Sequence, residues 1–327
     1  MRRLFNLIFF MALLTGGGAA WWLNQSLTIN TESVDLSVEP GTSVRGVAQL
    51  VSDAGVQVNP DLLYWWFRLS GDARQIRAGS YEIDRGTTPY SLLQKLVRGE
   101  ESLRAVTLVE GWTFTQVRAA LLKAEGLKPE TQGLEADFIM TALGKPGVHP
   151  EGRFFPDTYN YAKGSSDVAI LKRAMRAMDK KLALVWAHRQ TDSPLKTPDE
   201  ALILASIIEK ETGRSSDRAT ISGVFSNRLR IGMPLQTDPT VIYGLGDTFN
   251  GNLRRRHLQT DTPWNTYTRG GLPLTPIAMP GKGSLLAAVQ PASTKALYFV
   301  ARGDGSSQFS DNLQEHNRAV NKYQRGQ

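Results

Sequence analysis

Ala201-Leu-Ile-Leu-Ala-Ser-Ile-Ile-Glu-Lys-Glu-Thr-Gly213 is the stretch on which the reading of this chain turns. Its apolar density predicts a buried helix. Asp199 and Glu200 lie near its start, where negative charge suits the helix dipole, and Gly213 offers a stop. Positions i, i+3, i+4 and i+7 share one helix face. Counted from Leu204, that face holds Leu204, Ile207, Ile208 and then Glu211. A carboxyl that continues an apolar stripe loses water, and desolvation raises its pKa toward that of a proton donor near neutrality. Glu209 lies roughly 200° away around the helix, so the two carboxylates face different ways. Two solvated glutamates balanced by Lys210 would fit the local pattern equally well.

The rest of the composition bounds the answer. The chain has 327 residues, 41% hydrophobic and 21% charged, which suits a folded protein of two or three domains. It has no cysteine, so disulfides and thiolate metal sites are excluded. His149, His188, His257 and His316 lie far apart, with no zinc-helix spacing, and neither a metal nor an organic cofactor is expected. A formal net charge of +7 suits nucleic acid, a membrane surface or an acidic polymer. The one dense basic run, Arg254-Arg255-Arg256-His257, falls in a polar loop, and no nucleic-acid motif accompanies it.

At the N-terminus, Arg2 and Arg3 precede an apolar stretch over 4–23, broken mainly by Asn6 and Gly16-Gly17-Gly18. About 20 such residues span a bilayer. The arginines predict a cytoplasmic tip, residues 1–3, and Trp21-Trp22 suit the opposite interface. A cleaved signal peptide with Gly18 and Ala20 at the cut is the rival, weakened by the bulky tryptophans that follow. On either reading, 24–327 is exported.

Three segments then echo one another, each a short strand, a glycine turn and an amphipathic helix. They run from Val38 through Gly41 to Val51, from Ile83 through Gly86 to Leu96, and from Leu108 through Gly111 to Leu121. A Ser or Thr after each glycine can cap the helix. The expected fold is therefore α+β. It comprises one small module over 24–102, a second with a linker over 103–150, and a mainly helical domain with long cleft-forming loops over 151–327. The aromatic run Leu62-Leu63-Tyr64-Trp65-Trp66-Phe67 is expected to be module core rather than a sugar-stacking surface. Residues 126–153 read as linker. Helices are predicted from Asp167 to about Trp186, from Ser215 to Gly232 and from Asn312 to Arg325, and a strand over Ala296–Ala301. The irregular stretch after 232, rich in Gly, Pro, Thr and Asn, is expected to build a cleft.

Several polar segments could converge on Glu211: Phe154-Phe155-Pro156-Asp157-Thr158-Tyr159, Asn227-Arg228-Leu229, Leu235-Gln236-Thr237-Asp238-Pro239-Thr240, Thr262-Pro263-Trp264-Asn265-Thr266-Tyr267 and Gly271-Leu272-Pro273. Amides, hydroxyls, carboxylates and aromatic faces bind sugar polymers, and Gln236, Asp238, Asn265 and Tyr267 are of those types. Each also has a structural reading: Asp238 before Pro239 can start a turn, and Asn227 and Arg228 can tie helix to loop.

Together these segments resemble the endolytic murein transglycosylase family, also called YceG-like. The similarity covers about Glu151 to Tyr323 and rests on seven motifs in order. They are Phe-Pro-Asp-Thr-Tyr (155–159), Ala-Ser-Ile-Ile-Glu-Lys-Glu-Thr (205–212), Val-Phe-Ser-Asn-Arg-Leu (224–229), Leu-Gln-Thr-Asp-Pro-Thr-Val-Ile-Tyr-Gly (235–244), Asn-Thr-Tyr (265–267), Gly-Leu-Pro (271–273) and Tyr-Phe-Val (298–300). One departure is Gly-Leu-Pro-Leu-Thr-Pro (271–276), where the family usually has Gly-Leu-Pro-Pro-Gly-Pro. The resemblance implies a membrane anchor, LysM-like modules and a lyase that cleaves peptidoglycan glycan strands. It implies catalysis by Glu211, with peptidoglycan synthases as partners and the catalytic domain on the outer, periplasmic side of the cytoplasmic membrane. Glu209, Asn227, Arg228, Gln236, Asp238, Asn265 and Tyr267 are the expected substrate-binding residues. A water-using muramidase with Asp238 or Glu209 as second carboxylate, and a non-catalytic wall-binding scaffold, remain the competing expectations.

Overall fold

The structure, a computed structural model, describes residues 2–326; for 3–5, 7, 8 and 12 it describes the backbone alone. The described chain forms two compact units. One runs to Arg104 and includes Asn160–Gly164; the other holds Ala105–Tyr159 and everything from Ser165 onward.

The first unit contains α1 (Arg2–Leu23), β1 (Thr28–Ile29), β2 (Ser33–Val38), α2 (Val44–Asp53), β3 (Val56–Gln57), α3 (Pro60–Leu69), β4 (Gly79–Asp84), α4 (Pro89–Arg98) and the start of β5 (Leu103–Thr107). β2 and β4 pair antiparallel, placing Leu36 opposite Tyr81 and Val34 opposite Ile83; β1 pairs antiparallel with β3. Alternation along the strands turns Leu36, Val38, Tyr81 and Ile83 inward against Val47, Val51, Leu63, Phe67, Leu92 and Leu96. The echoing segments are strand–turn–helix repeats here: β2 to α2, β4 to α4, and β5 to α5 (Phe114–Lys123) of the second unit. Gly41, Gly86 and Gly111 take φ of 86°, 96° and 77°, open to glycine at little cost. Ser43, Thr88 and Thr113 each accept the backbone N–H three residues on, capping helices that would otherwise start with unpaired donors.

The aromatic run divides. Leu63 and Phe67 are fully buried, as expected of core, but Leu62 and Trp65 stay 48% and 54% exposed because α3 turns only one face inward. α1 is a continuous helix of 22 residues, and Trp22 packs against the first unit's core. Phe9, Phe10, Met11, Leu13 and Leu14 are exposed. Among the described residues no helix is long and apolar enough to cross a membrane. The span 4–23 expected as an anchor falls partly on side chains outside the described residues.

The second unit continues with α6 (Ala136–Ala142), the start of β6 (Thr158–Ala162), α7 (Asp167–Ala187), α8 (Pro198–Glu211), α9 (Arg218–Arg230), α10 (Asp238–Leu245), α11 (Arg255–Gln259), α12 (Lys282–Val289), β7 (Tyr298–Ala301), β8 (Ser307–Ser310) and α13 (Leu313–Gln324). β7 and β8 form a hairpin with Phe299 opposite Phe309. α8 packs against α7, α9, α10 and α12. Ala201, Leu202, Leu204, Ala205, Ile207 and Ile208 have no exposed surface, and each buried Leu or Ile contributes about 1.5–3 kcal/mol.

The second unit also departs from expectation, and its helix expected from Ser215 begins only at Arg218. α8 stops at Glu211, short of Gly213, because Thr212 is extended (φ −144°, ψ 130°) and its hydroxyl accepts Arg214 N–H at 3.0 Å. The expected linker 126–153 carries α6, held by the buried Ile139 and Met140; its glycines and prolines hid that apolar pair. The stretch after 232 contains three short helices, α10, α11 and α12. α12 reads Lys-Gly-Ser-Leu-Leu-Ala-Ala-Val and buries Ser284, Leu285, Ala287, Ala288 and Val289, so no polar stripe marks it as helical.

Gly223 on α9 shows how tightly this unit is packed. A Cβ there would lie 2.6 Å from the backbone oxygen of Ala292, whose own N–H donates to Ala219 O at 2.8 Å. Helix propensity alone favours Ala over Gly by about 1 kcal/mol, whereas overpacking costs about 1–3 kcal/mol. Gly223→Ala is therefore expected to destabilise the protein, read as a lower midpoint in urea; a midpoint at or above wild type would remove the close approach from the account.

Candidate active site

Glu211 is the last residue of α8 and continues the buried face of Leu204, Ile207 and Ile208. Its carboxylate accepts a hydrogen bond from the Thr237 hydroxyl. Burial is the largest influence on its pKa and pushes it up; the Thr237 bond opposes this, Asp238 adds to it, and Arg228 opposes it. Glu211 lies in the wall of a cavity of about 640 Å³. Arg228, Gln236, Asp238 and Tyr267 line the same cavity, together with Tyr298 and His316.

A hydroxyl network sets the position of Thr237. Thr237 N–H donates to Thr266 Oγ1 at 3.0 Å, Thr240 Oγ1 donates to Thr237 O at 2.7 Å, and Thr240 and Thr266 share a hydrogen bond of 2.9 Å. All three threonines are at most 2% exposed. Gln236 precedes them with φ 47°, the one non-glycine residue at positive φ among the described residues, a conformation costing about 1–3 kcal/mol. Its N–H donates to Thr266 O, which ties the turn to the opposite loop.

The other cavity residues are held as firmly. Arg228 Nε donates to Leu297 O and its NH1 to Leu235 O, both at 2.7 Å, so this guanidinium ties α9 to two loops. Tyr267 Oη donates to Asp238 Oδ1 at 2.6 Å, and burial followed by Asp238 raises the phenol pKa, keeping it a donor.

Three expected site residues do not line the cavity. Glu209 faces away and accepts Gly281 N–H at 2.8 Å, capping α12, with Arg218 3.6 Å from its other oxygen. Asn227 Nδ2 donates to Thr294 O and Ala296 O. Asn265 is 1% exposed: its Nδ2 donates to Leu258 O and Thr260 O, and its Oδ1 accepts Tyr267 N–H. Each amide or carboxylate is consumed by backbone partners, which local sequence cannot show. The Phe154–Tyr159 segment also stays outside the cavity, with Phe154 stacked on Phe114 and Tyr159 Oη donating to Phe155 O. The departing loop 271–276 is likewise outside the lining, where Thr275 Oγ1 accepts Trp264 Nε1–H at 2.9 Å.

The profile of the YceG-like family matches residues 36–322. The chain belongs to the YceG-like family. An endolytic murein transglycosylase of Bacillus subtilis is 31% identical over 308 residues, covering 89% of this chain and 85% of that relative. One from Streptococcus pneumoniae is 26% identical and covers 96% of this chain but 64% of its own length. A crystal structure of a yceG-like protein from Listeria monocytogenes superposes with a TM-score of 0.56 at 28% identity, covering 88% of this chain and 98% of the other.

Sequence reasoning passed over two polar groups in this YceG-like chain. Thr237 lay between two chosen residues but carries no charge to mark it. Glu151 is 3% exposed; it accepts Phe114 N–H at 3.0 Å and the Tyr243 hydroxyl at 3.1 Å. Burial raises its pKa from 4.5 to about 7, against the opposing pull of those bonds. A raised folded-state pKa stabilises the fold fully below pH 4.5, and that contribution is lost as pH rises through about 7. The loss is roughly 3 kcal/mol. Glu151→Gln, which cannot ionise, is expected to flatten this dependence in urea midpoints taken between pH 4.5 and 8; equal slopes in the two proteins would sink the assignment.

Proposed function

We propose that this YceG-like protein is a peptidoglycan lytic transglycosylase acting within glycan strands, with Glu211 as its single acid/base. The naming of its relatives supports a lytic transglycosylase, a lyase, acting on peptidoglycan. The observation that carries the finer reading is the desolvated Glu211 carboxyl in the wall of the cavity.

In the proposed reaction, protonated Glu211 donates to the glycosidic oxygen between N-acetylmuramic acid and N-acetylglucosamine. The C1–O bond breaks, and the substrate's own acetamido group stabilises the cationic sugar. Glu211, now ionised, takes the proton of the muramic C6 hydroxyl as that oxygen bonds to C1. The products are a free N-acetylglucosamine 4-hydroxyl and a 1,6-anhydromuramic end, with no water consumed. One carboxyl serves as acid and then base, which suits a pKa raised toward neutrality. Thr237 would tune that pKa and aim the carboxylate, Arg228 would hold the loops together, and Tyr267, Asp238 and Gln236 would bind sugar.

Asp238 lines the same cavity, which supports a second reading as a two-carboxylate muramidase. Glu209 is taken up in capping α12. Mass spectrometry of fragments released from purified peptidoglycan separates the readings. Wild type is expected to give anhydromuramic ends, and Glu211→Gln to lose at least about 100-fold in rate. Reducing ends from wild type would favour the muramidase, and no cleavage by either protein would favour a wall-binding scaffold.

The proposal includes location. Apolar residues over 4–23, with Phe9, Phe10, Met11, Leu13 and Leu14 exposed on α1, support an anchor that leaves the catalytic unit on the outer face of the cytoplasmic membrane. The module over 24–102 is read as LysM-like. Such a tether would bring the cavity to nascent strands, so that cleavage ends their elongation beside the synthases that make them. Deleting residues 2–23 is expected to move the protein from the membrane to the soluble fraction of lysed cells; retention would overturn the anchor.

A further inference from the structure

His316 lines the cavity but belongs to none of the motifs that marked the site. It is carried on α13, and its ring stacks on Tyr298 with centroids 5.1 Å apart and planes 23° from parallel. The Arg228 guanidinium lies 5.3 Å from the centroid of the same tyrosine ring. His316 Nδ1 is enclosed and has no hydrogen-bond partner. Buried polar atoms without a partner are rare in folded proteins and call for an explanation.

Neutral imidazole has one nitrogen that donates and one that accepts. Burial, and then the nearby Arg228, lower the His316 pKa, which favours the neutral ring. An enclosed N–H without an acceptor costs more than an enclosed lone pair without a donor, since unpaired carbonyls are tolerated more often than unpaired N–H groups. The proton therefore belongs on Nε2, at the ring edge away from the enclosed nitrogen. Stacking on Tyr298 fixes the plane of the ring and so the direction in which that N–H points.

We infer that His316 is a further substrate-binding residue, whose Nε2–H donates a hydrogen bond to an uncharged oxygen of an N-acetylated amino-sugar strand, such as an acetamido carbonyl, lying in the Glu211 cavity. This rests on the glycan-cleaving reading above. The bond comes from the α13 side of the cavity, opposite in sequence to the loops 235–240 and 262–267, so the strand would be gripped by elements from distant parts of the unit. The donor is neutral, so it adds direction without adding charge beside Arg228.

The test measures binding of soluble, uncross-linked peptidoglycan strands to the full chain by calorimetry, in a Glu211→Gln background that prevents cleavage. His316→Phe keeps a ring to stack on Tyr298 but has no donor, and is expected to weaken binding about 5- to 10-fold, the value of one neutral hydrogen bond. His316→Gln can place its amide nitrogen near the lost Nε2, and is expected to stay within about 3-fold of the parent. Both variants should melt with the parent, and in the Glu211-containing enzyme the loss should fall on KM rather than kcat. Parental affinity in His316→Phe would overturn the inference while leaving the transglycosylase reading intact. Equal weakening by Phe and Gln would also overturn it, because the donor restored by Gln would have rescued nothing. Failure of the parent itself to bind strands would overturn both this inference and the reading beneath it.

Discussion

The exclusion of water from α8 is the constraint on which the second unit depends. Ala201, Leu202, Leu204, Ala205, Ile207 and Ile208 are all fully buried, so the helix needs cover on nearly every side. α7, α9, α10 and α12 provide it. α12 is in turn fixed to α8 by polar contacts: Glu209 caps its N-terminus through Gly281 N–H. Ser206 Oγ, also without exposed surface, accepts Ile277 N–H at 3.0 Å on the segment leading to α12. A helix end so enclosed leaves Glu211 little water, and the cavity is where its carboxyl emerges.

The loops around that carboxyl owe their order to polar groups that satisfy one another out of water. Asn265 closes the 257–260 turn with its amide and orients Tyr267 with its carbonyl oxygen. Thr237, Thr240 and Thr266 join the two loops. Buried hydrogen bonds of this kind each add about 1 kcal/mol net, but losing one partner leaves a desolvated group and costs more. That asymmetry fixes one arrangement of the loops rather than several. It also explains why residues of sugar-binding type, such as Asn265 and Asn227, proved to be staples: a long loop stretch needs internal partners before it can offer any to a ligand.

The first unit follows a different logic. Apart from α1 its helices are short, and its order comes from repeated local punctuation: a glycine at positive φ, a hydroxyl cap, then an amphipathic helix against a two-stranded sheet. Such a unit buries one face of each helix and leaves the other in water, which is why Leu62 and Trp65 of the aromatic run on α3 remain outside. The second unit surrounds α8 and so desolvates the Glu211 carboxyl at its end.

What the sequence determined by itself was whatever depends on neighbours within a few residues. The 3.6-residue period placed Glu211 on the buried face of Leu204, Ile207 and Ile208, the glycine–hydroxyl pairs marked three turns and caps, and the order of motifs indicated the family. Tertiary structure decided everything that depends on groups far apart in the chain. Thr237 meets Glu211 across 26 positions, Glu209 meets Gly281 across 72, and Asn227 reaches Thr294 across 67. His316 enters the cavity only because α13 packs against β7 and β8. α12 is apolar on several sides because the packed helices around it replace water, so its own letters carry no period. The physical reason is the same throughout: helix faces and caps are set by local backbone geometry, whereas desolvation and hydrogen-bond pairing are set by whatever the fold brings alongside.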